Sequence, residues 1–329
     1  TIVYAKYKPK EWHPKQRGAL DRIKERTTID DEEVKKTTLR FLYVKGKPGS
    51  GKTAVLIEGA VRAAKDGLTV LIVCPTDALV CSLKELLPEF DGVDRIHVDT
   101  IHAVLKYKRD RDNKVDFVPP SGFRKYEAVS CDEASQYDDL EWARLFKTVK
   151  EQPHSPYVVV VADFQQLRPM SNGNMCRKFC ERMETIELVT SYRSTCEEHL
   201  LFLNRIRDAQ VDRPTLVKYF QDRHWDDDDL EECVAYGLNL AAARGKVFTW
   251  LTATNRGASA VCRAALAHKG ISDDDLLAGY QGDPASKSKL RILCRPGLLY
   301  RPTRNLNKRR GFVNGALAVC VESLKGCEV

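Results

Sequence analysis

One glycine-rich segment constrains the fold of this chain more than any other feature. Residues 46–53 read Gly-Lys-Pro-Gly-Ser-Gly-Lys-Thr and match the phosphate-loop pattern G-x-x-x-x-G-K-[ST] at every fixed position. An apolar run at 39–44 precedes the segment and predicts a buried strand, whereas 53–64 has the apolar spacing of a helix. Backbone N–H groups of such a loop, together with the helix N-terminus, bind phosphate. The pattern therefore predicts the strand–loop–helix unit of a nucleotide triphosphatase.

The residues of this phosphate loop have predicted roles. Lys52 is expected to reach the β- and γ-phosphates of ATP, and Thr53 is expected to bind Mg2+ through its hydroxyl. The other predicted nucleotide contacts in the loop are Gly46, Pro48, Gly49, Ser50 and Gly51. ATP and Mg2+ are thus the predicted cofactors.

Strand-like and helix-like runs alternate through the first half of the chain. The strand-like runs, at 39–44, 69–74, 95–98, 128–132 and 157–162, are rich in Val, Ile and Leu. Such alternation predicts a parallel sheet covered by helices on both faces. A second block begins near residue 190, with a predicted helix at 197–207, a strand at 247–252 and a helix at 256–268. We therefore predict an α/β fold with two domains, 1–189 and 190–329.

Membrane-spanning and disulfide-framework proteins are disfavoured by composition. No stretch approaches the length that crosses a bilayer, so no membrane partner is expected. The 11 cysteines are odd in number and scattered through apolar runs, which indicates reduced thiols and an intracellular protein. A zinc site of Cys176, Cys180, Cys196 and His199 is disfavoured because the spacing is not that of a zinc finger. The chain has no initiator Met and no signal-peptide pattern, which indicates trimming from a longer protein.

Charge is distributed unevenly although the net charge of +7 is mild. Residues 106–125 carry seven basic and three acidic side chains, and residues 295–310 carry six basic and none acidic. Both segments suit a polyanionic partner. The first interrupts the strand–helix pattern and predicts a small basic hairpin at about 105–126. Its aromatic residues, among them Phe117, either stack on bases or pack in the hairpin's own core.

Two carboxylates meet the further needs of a triphosphatase. Asp132 and Glu133 come directly after a short apolar run. Asp132 is expected to hold Mg2+, and Glu133 is expected to polarise the attacking water. Gln166 follows the next strand-like run, at the sheet edge where ligands bind in such folds. This glutamine is either a γ-phosphate sensor or a plain surface residue.

As an ordered set, these residues resemble superfamily 1 helicases of the 5′-to-3′ branch, which includes the RecD, Dda and petite-integration-frequency helicases. The resemblance extends over almost the whole chain. It implies P-loop, RecA-like parallel sheets in two motor domains, with ATP bound between them. Beyond the phosphate loop and the acidic pair, it rests on His13-Pro14-Lys15-Gln16, Pro75-Thr76, Asp99-Thr100-Ile101-His102, Ala162-Asp163-Phe164-Gln165-Gln166-Leu167 and Ser191-Tyr192-Arg193-Ser194.

The resemblance implies a role for each of these segments. Gln16 reads adenine, Tyr192 stacks on the base, and Arg193 reaches the γ-phosphate as an arginine finger. An arginine there neutralises charge on the transferred phosphoryl oxygens. The implied catalytic set is Lys52, Glu133, Gln166 and Arg193. The implied nucleic-acid contacts are Pro75, Thr76, Thr100, His102, Phe117, Phe164 and Asn255.

The sequence departs from the family pattern at two places. Ala162 stands where the third motif usually has glycine. The two last family motifs, including the one with a second arginine finger, do not occur before Val329. The second motor domain is therefore expected to be incomplete, and residues 290–329 to begin an inserted small β-subdomain.

Three other functions compete with a DNA helicase. A viral-type superfamily 1 RNA helicase shares the phosphate loop and the acidic pair, and nothing in the sequence discriminates single-stranded DNA, which the family implies, from RNA. A truncated helicase that binds nucleic acid without turnover is the alternative from a non-enzyme class. A P-loop kinase is remote because kinases lack the segments around Gln166 and Arg193.

Overall fold

The computed structural model describes residues 11–27, 41–106, 118–154, 156–166, 169, 173–221, 229–252, 254–271, 297, 299–301, 307, 313–314 and 316–321. The chain divides into two compact units. The first comprises Thr1–Arg207 with Pro302–Ala316, and the second comprises Asp208–Arg301 with Leu317–Val329.

A six-stranded sheet forms the centre of the first unit, and all of its strand pairs are parallel. In spatial order it runs β3-β2-β4-β5-β1-β6. The four central strands are fully or almost fully buried, because helices cover both faces and leave no solvent side. The strands are β1 (Phe41–Gly46), β2 (Val70–Cys74), β3 (Ile96–Thr100), β4 (Ala128–Cys131), β5 (Tyr157–Ala162) and β6 (Glu184–Leu188).

Helices pack on the two faces of this sheet and close two apolar cores. One core joins the first two helices of the chain to residues such as Leu42 and Ile72, and the other is built around Trp142 and Leu145. The helices are α1 (Pro14–Thr27), α2 (Lys52–Lys65), α3 (Asp77–Leu86), α4 (Ile101–Leu105), α5 (Asp139–Lys150), α6 (Met175–Cys180) and α7 (Glu197–Arg207). Local sequence sets several of these boundaries, as in α5, where Asp138 and Glu141 form a capping box.

The predicted P-loop α/β fold is confirmed, and the sheet edge where the candidate site lies follows from its register. Strand β1 pairs with β5 from Phe41 opposite Val158 to Lys45 opposite Ala162, and with β6 up to Gly46 opposite Leu188. The segments that follow β1, β4, β5 and β6 therefore leave the sheet at one edge, its carboxyl edge. The predicted site residues after these strands are brought together by topology alone.

Strand β6 and helices α1 and α4 of the first unit are absent from the sequence-based prediction. Strand β6 alternates half-buried and exposed residues, because it lies at the sheet edge and pairs only with β1. It therefore lacks the continuous apolar run that marks the central strands. Helix α1 has four buried residues, Gln16, Ala19, Leu20 and Ile23, and the first of them is polar. In α1 the helical spacing is present, but only three of the four inward positions are apolar, so the signal is short.

The second unit contains helices α8 (Arg213–Phe220), α9 (Leu230–Ala243) and α10 (Asn255–His268) and a short antiparallel pair, β7 (Leu299–Tyr300) and β8 (Ala318–Val319). The predicted helix at 256–268 is confirmed, but the predicted strand at 247–252 is wrong. Residues 247–252 are irregular, with Leu251 87% exposed. A strand requires a neighbour for its backbone hydrogen bonds, and the described residues of this unit provide none there.

The basic hairpin predicted at about 105–126 is described only in part, and Tyr107 and Phe117 lie outside the described residues. The described end forms a short 3-10 turn at Ser121–Lys125. Its Phe123 is 2% exposed and packs beside Tyr126 in the core that is built around Trp142 and Leu145. Phe123 is therefore a core residue rather than a surface for stacking bases. None of the helices in the described part of the chain has the length and apolarity to cross a membrane.

Candidate active site

The phosphate loop connects β1 to α2 and contains two glycines in the left-handed region, Gly49 with φ 76° and Gly51 with φ 82°. Other residues rarely adopt this conformation. A Cβ on Gly51 would lie 2.4 Å from Nε2 of Gln16, and one on Gly49 would lie 2.5 Å from Cβ of Arg193. The glycines are therefore needed both for the turn and for the close approach of two predicted site residues.

Gln16 supports the loop from the side of α1. Its Nε2 donates to the carbonyl of Ser50 at 3.1 Å, and its Oε1 accepts from the backbone N–H of His13 at 3.1 Å. The side chain is buried. An amide can make four hydrogen bonds, so one donor hydrogen and one lone pair of Gln16 are not used by the hydrogen bonds to Ser50 and His13.

The segment after β6 contacts the loop from the other side. The Ser191 hydroxyl donates to the carbonyl of Pro48 at 2.9 Å, and the Tyr192 backbone N–H donates to the carbonyl of Gly49 at 2.8 Å. The Tyr192 side chain is exposed, and its ring lies 6.5 Å from that of His13 in an edge-on arrangement. The backbone contacts place Arg193, an exposed side chain, directly beside the phosphate loop.

Lys52 is the first residue of α2, and its ammonium group lies against the phosphate loop. Its Nζ donates to the carbonyls of Gly46 at 2.9 Å and Lys47 at 3.2 Å. Burial lowers the pKa of Lys52, while the carboxylates of Asp163, Glu133 and Asp132 act in the opposite direction. The amine is thus held among loop carbonyls and within the field of three acids.

Asp132 follows β4 and is 1% exposed. The Thr53 hydroxyl lies 3.3 Å from its Oδ2 and 3.5 Å from its Oδ1, so the first residues of α2 and the end of β4 meet here. Burial and then the neighbouring charge of Glu133 raise the pKa of Asp132 to about 7. No described cation pairs with this carboxyl group.

Glu133 adopts a left-handed conformation, with φ 47°. Its Oε2 is buried and has no hydrogen-bond partner among the described residues. The Ser50 hydroxyl in the phosphate loop is also buried without a hydrogen-bond partner among the described residues. Buried polar atoms without partners are rare in folded proteins and indicate a missing ligand or water.

Mg2+ fits the oxygen groups at this edge. The ion prefers hard oxygen ligands and is usually held by one or two carboxylates with water and substrate phosphates. Thr53 and Asp132 supply a hydroxyl and a carboxylate side by side, and burial makes the charge of Asp132 unfavourable without a cation. For zinc, the described residues contain no group of three or more His, Cys, Asp or Glu side chains placed to hold a metal ion.

Asp163, which follows β5, has a contact that sequence reasoning missed. Its two carboxylate oxygens accept two hydrogen bonds of 2.7 Å from the guanidinium of Arg207, the last residue of α7. Nε2 of Gln166 donates to the same carboxylate at 2.9 Å. Lys47 also reaches α7, because its Nζ donates to Oδ1 of Asn204 at 2.8 Å. The signal that could have indicated a partner is a carboxylate directly after a buried apolar strand.

Five of the predicted nucleic-acid contacts end or follow strands at this edge of the sheet, in varied environments: Pro75, Thr76, Thr100, His102 and Phe164. Thr76 is exposed and caps α3, and buried Thr100 caps α4. Nε2 of His102 lies 3.0 Å from Oε1 of Glu141. Pro75 and Phe164 are partly buried, the latter with its ring 5.9 Å from that of Tyr43. Asn255 begins α10 in the second unit, and Phe117 lies outside the described residues.

Comparisons with known proteins agree with this geometry. A family model described as an AAA domain matches residues 32–225, which is more than half of the chain. No curated protein sequence matches significantly.

Several solved structures have the same fold. A structure of two coordinating Pif1 helicases at forked double-stranded DNA is 17% identical, with 96% of this chain and 72% of that chain covered and a TM-score of 0.56. Pif1 helicase from Bacteroides, in complex with ADP-AlF3 and single-stranded DNA, is 16% identical, with 93% and 70% covered and a TM-score of 0.56. Pif1 helicase from Candida albicans is 13% identical, with 95% and 69% covered and a TM-score of 0.54.

The fold matches extend over nearly all of this chain, and the family match includes the phosphate loop, Asp132, Glu133, Gln166 and Arg193. This is the relationship that the order of the motifs predicts. The chain therefore belongs to the AAA-domain family, with the P-loop NTPase fold of Pif1-type superfamily 1 helicases.

Proposed function

We propose that this protein is an ATP-driven motor that moves 5′-to-3′ along single-stranded DNA and separates strands. One observation carries the proposal: Lys52, Asp132 and Glu133 meet at one edge of the sheet, and a buried oxygen of Glu133 has no partner there. Such a set suits phosphoryl transfer to water. The Pif1 structures with ADP-AlF3 and DNA support the same activity.

The first step is binding of the triphosphate by the phosphate loop. Backbone N–H groups of the loop and the N-terminus of α2 surround the phosphates, and Lys52 turns from the carbonyls of Gly46 and Lys47 to the β- and γ-phosphates. Thr53 and Asp132 hold Mg2+, which neutralises negative charge on the phosphates when bound. Gln16 uses its remaining donor and acceptor for adenine, and Tyr192 covers the base.

The second step is attack by water on the γ-phosphate, which breaks the bond between the γ-phosphorus and the β–γ bridging oxygen and releases ADP and phosphate. Glu133 orients the water with its unpartnered oxygen and receives its proton. Gln166 contacts the γ-phosphate from the loop after β5. Arg193 stabilises the charge that spreads over the phosphoryl oxygens, because its backbone is held against the phosphate loop at Gly49.

Motor function needs two domains that close on ATP and open after hydrolysis. We propose two RecA-like domains, predicted as residues 1–189 and 190–329 with the second incomplete. Because α7 belongs to the first compact unit, we propose that the moving parts separate after Arg207. The single-stranded DNA contacts Pro75, Thr76, Thr100, His102 and Phe164, with Phe117 and Asn255 as further contacts. The direction of movement rests on the family resemblance alone.

ATP hydrolysis with and without nucleic acid tests this function. Poly-dT should increase turnover at low salt more than poly-rU does, and the effect should weaken steeply as salt rises because phosphate contacts release counterions. Stronger stimulation by poly-rU would support the RNA helicase alternative. Tight binding of poly-dT without any hydrolysis would support the non-motor binding module.

The variant Glu133→Gln separates binding from chemistry. It should retain ATP affinity within a few fold and lower kcat by roughly 100-fold to 10,000-fold, because the amide cannot accept the proton. Glu85→Gln, on the exposed face of α3, is the matched control and should leave turnover unchanged. Normal turnover in Glu133→Gln would remove the general-base role.

A further inference from the structure

The carboxylate of Asp163 is saturated with donors. It accepts two hydrogen bonds from Arg207, one from Nε2 of Gln166 and one from the backbone N–H of Gln165. Asp163 is 1% exposed as a side chain and Arg207 is 12% exposed. The guanidinium fork fixes the orientation of the carboxylate plane, because two parallel bonds leave it no freedom to rotate.

The orientation of Gln166 depends on this carboxylate. The Gln166 backbone N–H donates to the Asp163 carbonyl at 3.0 Å, and its side-chain amide donates to Oδ2 at 2.9 Å. Oδ2 also accepts one of the two Arg207 bonds. A rotation of the Asp163 carboxylate would therefore move the Gln166 amide with it.

Arg207 is itself positioned by a helix that contacts the phosphate loop. Helix α7 is bound to the phosphate loop through Asn204, whose Oδ1 accepts a hydrogen bond of 2.8 Å from Nζ of Lys47. The segment that leads into α7 is bound to Pro48 and Gly49 through Ser191 and Tyr192. Helix α7 thus contacts both the phosphate loop, through Asn204, and the loop after β5, through Arg207.

The two charges of the pair act in opposite directions on Lys52. Asp163 raises the pKa of the Lys52 amine and Arg207 lowers it, so both lie within electrostatic range of the phosphate site. Asp163 acts more strongly than Arg207 on this amine, so the pair adds negative charge to the site as well as fixing its geometry.

We propose that Arg207 is a positioning residue for ATP hydrolysis, which fixes Asp163 and through it the side chain of Gln166 that faces the γ-phosphate. Arg207 does not touch the nucleotide in this arrangement, because both of its terminal nitrogens are bound to Asp163. The inference rests on the proposed ATPase function. It adds a residue that lies 41 positions beyond Gln166 in the chain and outside the motifs recognised in the sequence.

Steady-state ATP hydrolysis on the full chain with poly-dT tests this role. Arg207→Gln should lower kcat about tenfold or more while KM for ATP changes by less than about threefold, because binding contacts to the nucleotide are kept. Arg207→Lys keeps the charge but loses the fork, and its kcat should fall between those of Arg207→Gln and wild type. Arg205→Gln, an exposed arginine of the same helix, is the matched control and should behave as wild type.

A double-mutant cycle with Gln166→Ala separates positioning from general support of the fold. If Arg207 acts through Gln166, the double variant should be no more than about threefold slower than the slower single variant. Losses that multiply, or a kcat of Arg207→Gln within twofold of wild type beside a lowered melting temperature, would overturn the inference. If Arg207→Gln does not fold, a wild-type kcat in Arg207→Lys overturns it. Absence of hydrolysis by the wild type rejects the proposed function instead.

Discussion

Two aspartates that follow neighbouring strands of the sheet are equally buried, but their pKa values are shifted in opposite directions. Asp132 after β4 and Asp163 after β5 are each 1% exposed. Burial and Glu133 raise the pKa of Asp132 to about 7. Burial alone would also raise the pKa of Asp163, but hydrogen bonds from Arg207 and Gln166 outweigh it and hold that pKa below its usual range.

The difference shows which carboxylate is part of the scaffold. Asp163 has its cation built in, at two distances of 2.7 Å, and so its charge is already stabilised. The Asp132 carboxylate accepts hydrogen bonds from the Thr53 hydroxyl and the Glu133 backbone but pairs with no cation among the described residues, so its charge becomes favourable when a cation binds. A buried acid with a raised pKa in a cleft is a sign of function, whereas an acid with a saturated carboxylate is a sign of structure.

Loss of Lys52 should give the largest effect on ATP turnover. It tests the comparison of the two aspartates directly, because this amine interacts with both carboxylates. Lys52→Ala should lower ATP turnover by about 1,000-fold or more, since the phosphates lose their main cation in the loop. Single-turnover hydrolysis measures this. Lys84→Ala, an exposed lysine on α3, serves as the control. Turnover within tenfold of wild type would contradict the assignment of the loop.

Asp163→Asn should sharpen the comparison through stability. The variant leaves Arg207 buried without its countercharge and should lower the unfolding free energy by roughly 3 kcal/mol at pH 7. Because the folded pKa of Asp163 is lowered, its contribution is present above the unfolded value and is lost as pH falls through the folded value. In urea unfolding, the difference in unfolding free energy between wild type and Asp163→Asn should therefore be smaller at pH 3.5 than at pH 7. An equal difference at both values would argue against the ion pair.

Arg193→Ala tests the other arginine near the phosphates, which is exposed and not paired with Asp163. Its kcat should fall by about 100-fold because a transition-state charge loses its donor. The affinity for ATP should stay within a few fold, as fluorescent-nucleotide titration can show. Stability should be unchanged, in contrast to the Asp163 variant. Unaltered turnover would remove the finger role.

Asp132→Asn should change stability in the opposite direction to Asp163→Asn. The folded pKa of about 7 lies above the unfolded value, so the stability that protonated Asp132 contributes is present below the unfolded value and is lost as pH rises through 7. With divalent cations chelated, the variant should gain roughly 1–3 kcal/mol relative to wild type between pH 5 and pH 8. Thermal unfolding across that range measures the gain. A variant that is less stable than wild type at pH 8 would reverse the comparison.

Much of this site follows from local sequence, and the remainder depends on contacts between distant segments. Lys52, Thr53 and Asp132 were predictable because each lies next to a strand or helix with a clear apolar pattern. The helix at 197–207 was predicted with its observed bounds. Arg207 was not assigned, because its partner is 44 residues away and an arginine at a helix C-terminus is common without any buried partner. The strand at 247–252 was predicted from its apolar residues alone, although a strand also requires a neighbour.

The resting position of Lys52 has a consequence for the loop as a whole. The ammonium group donates to the carbonyls of the consecutive residues Gly46 and Lys47. Under the proposed function this amine leaves both carbonyls when a triphosphate binds, so part of the binding energy is spent on replacing two internal hydrogen bonds.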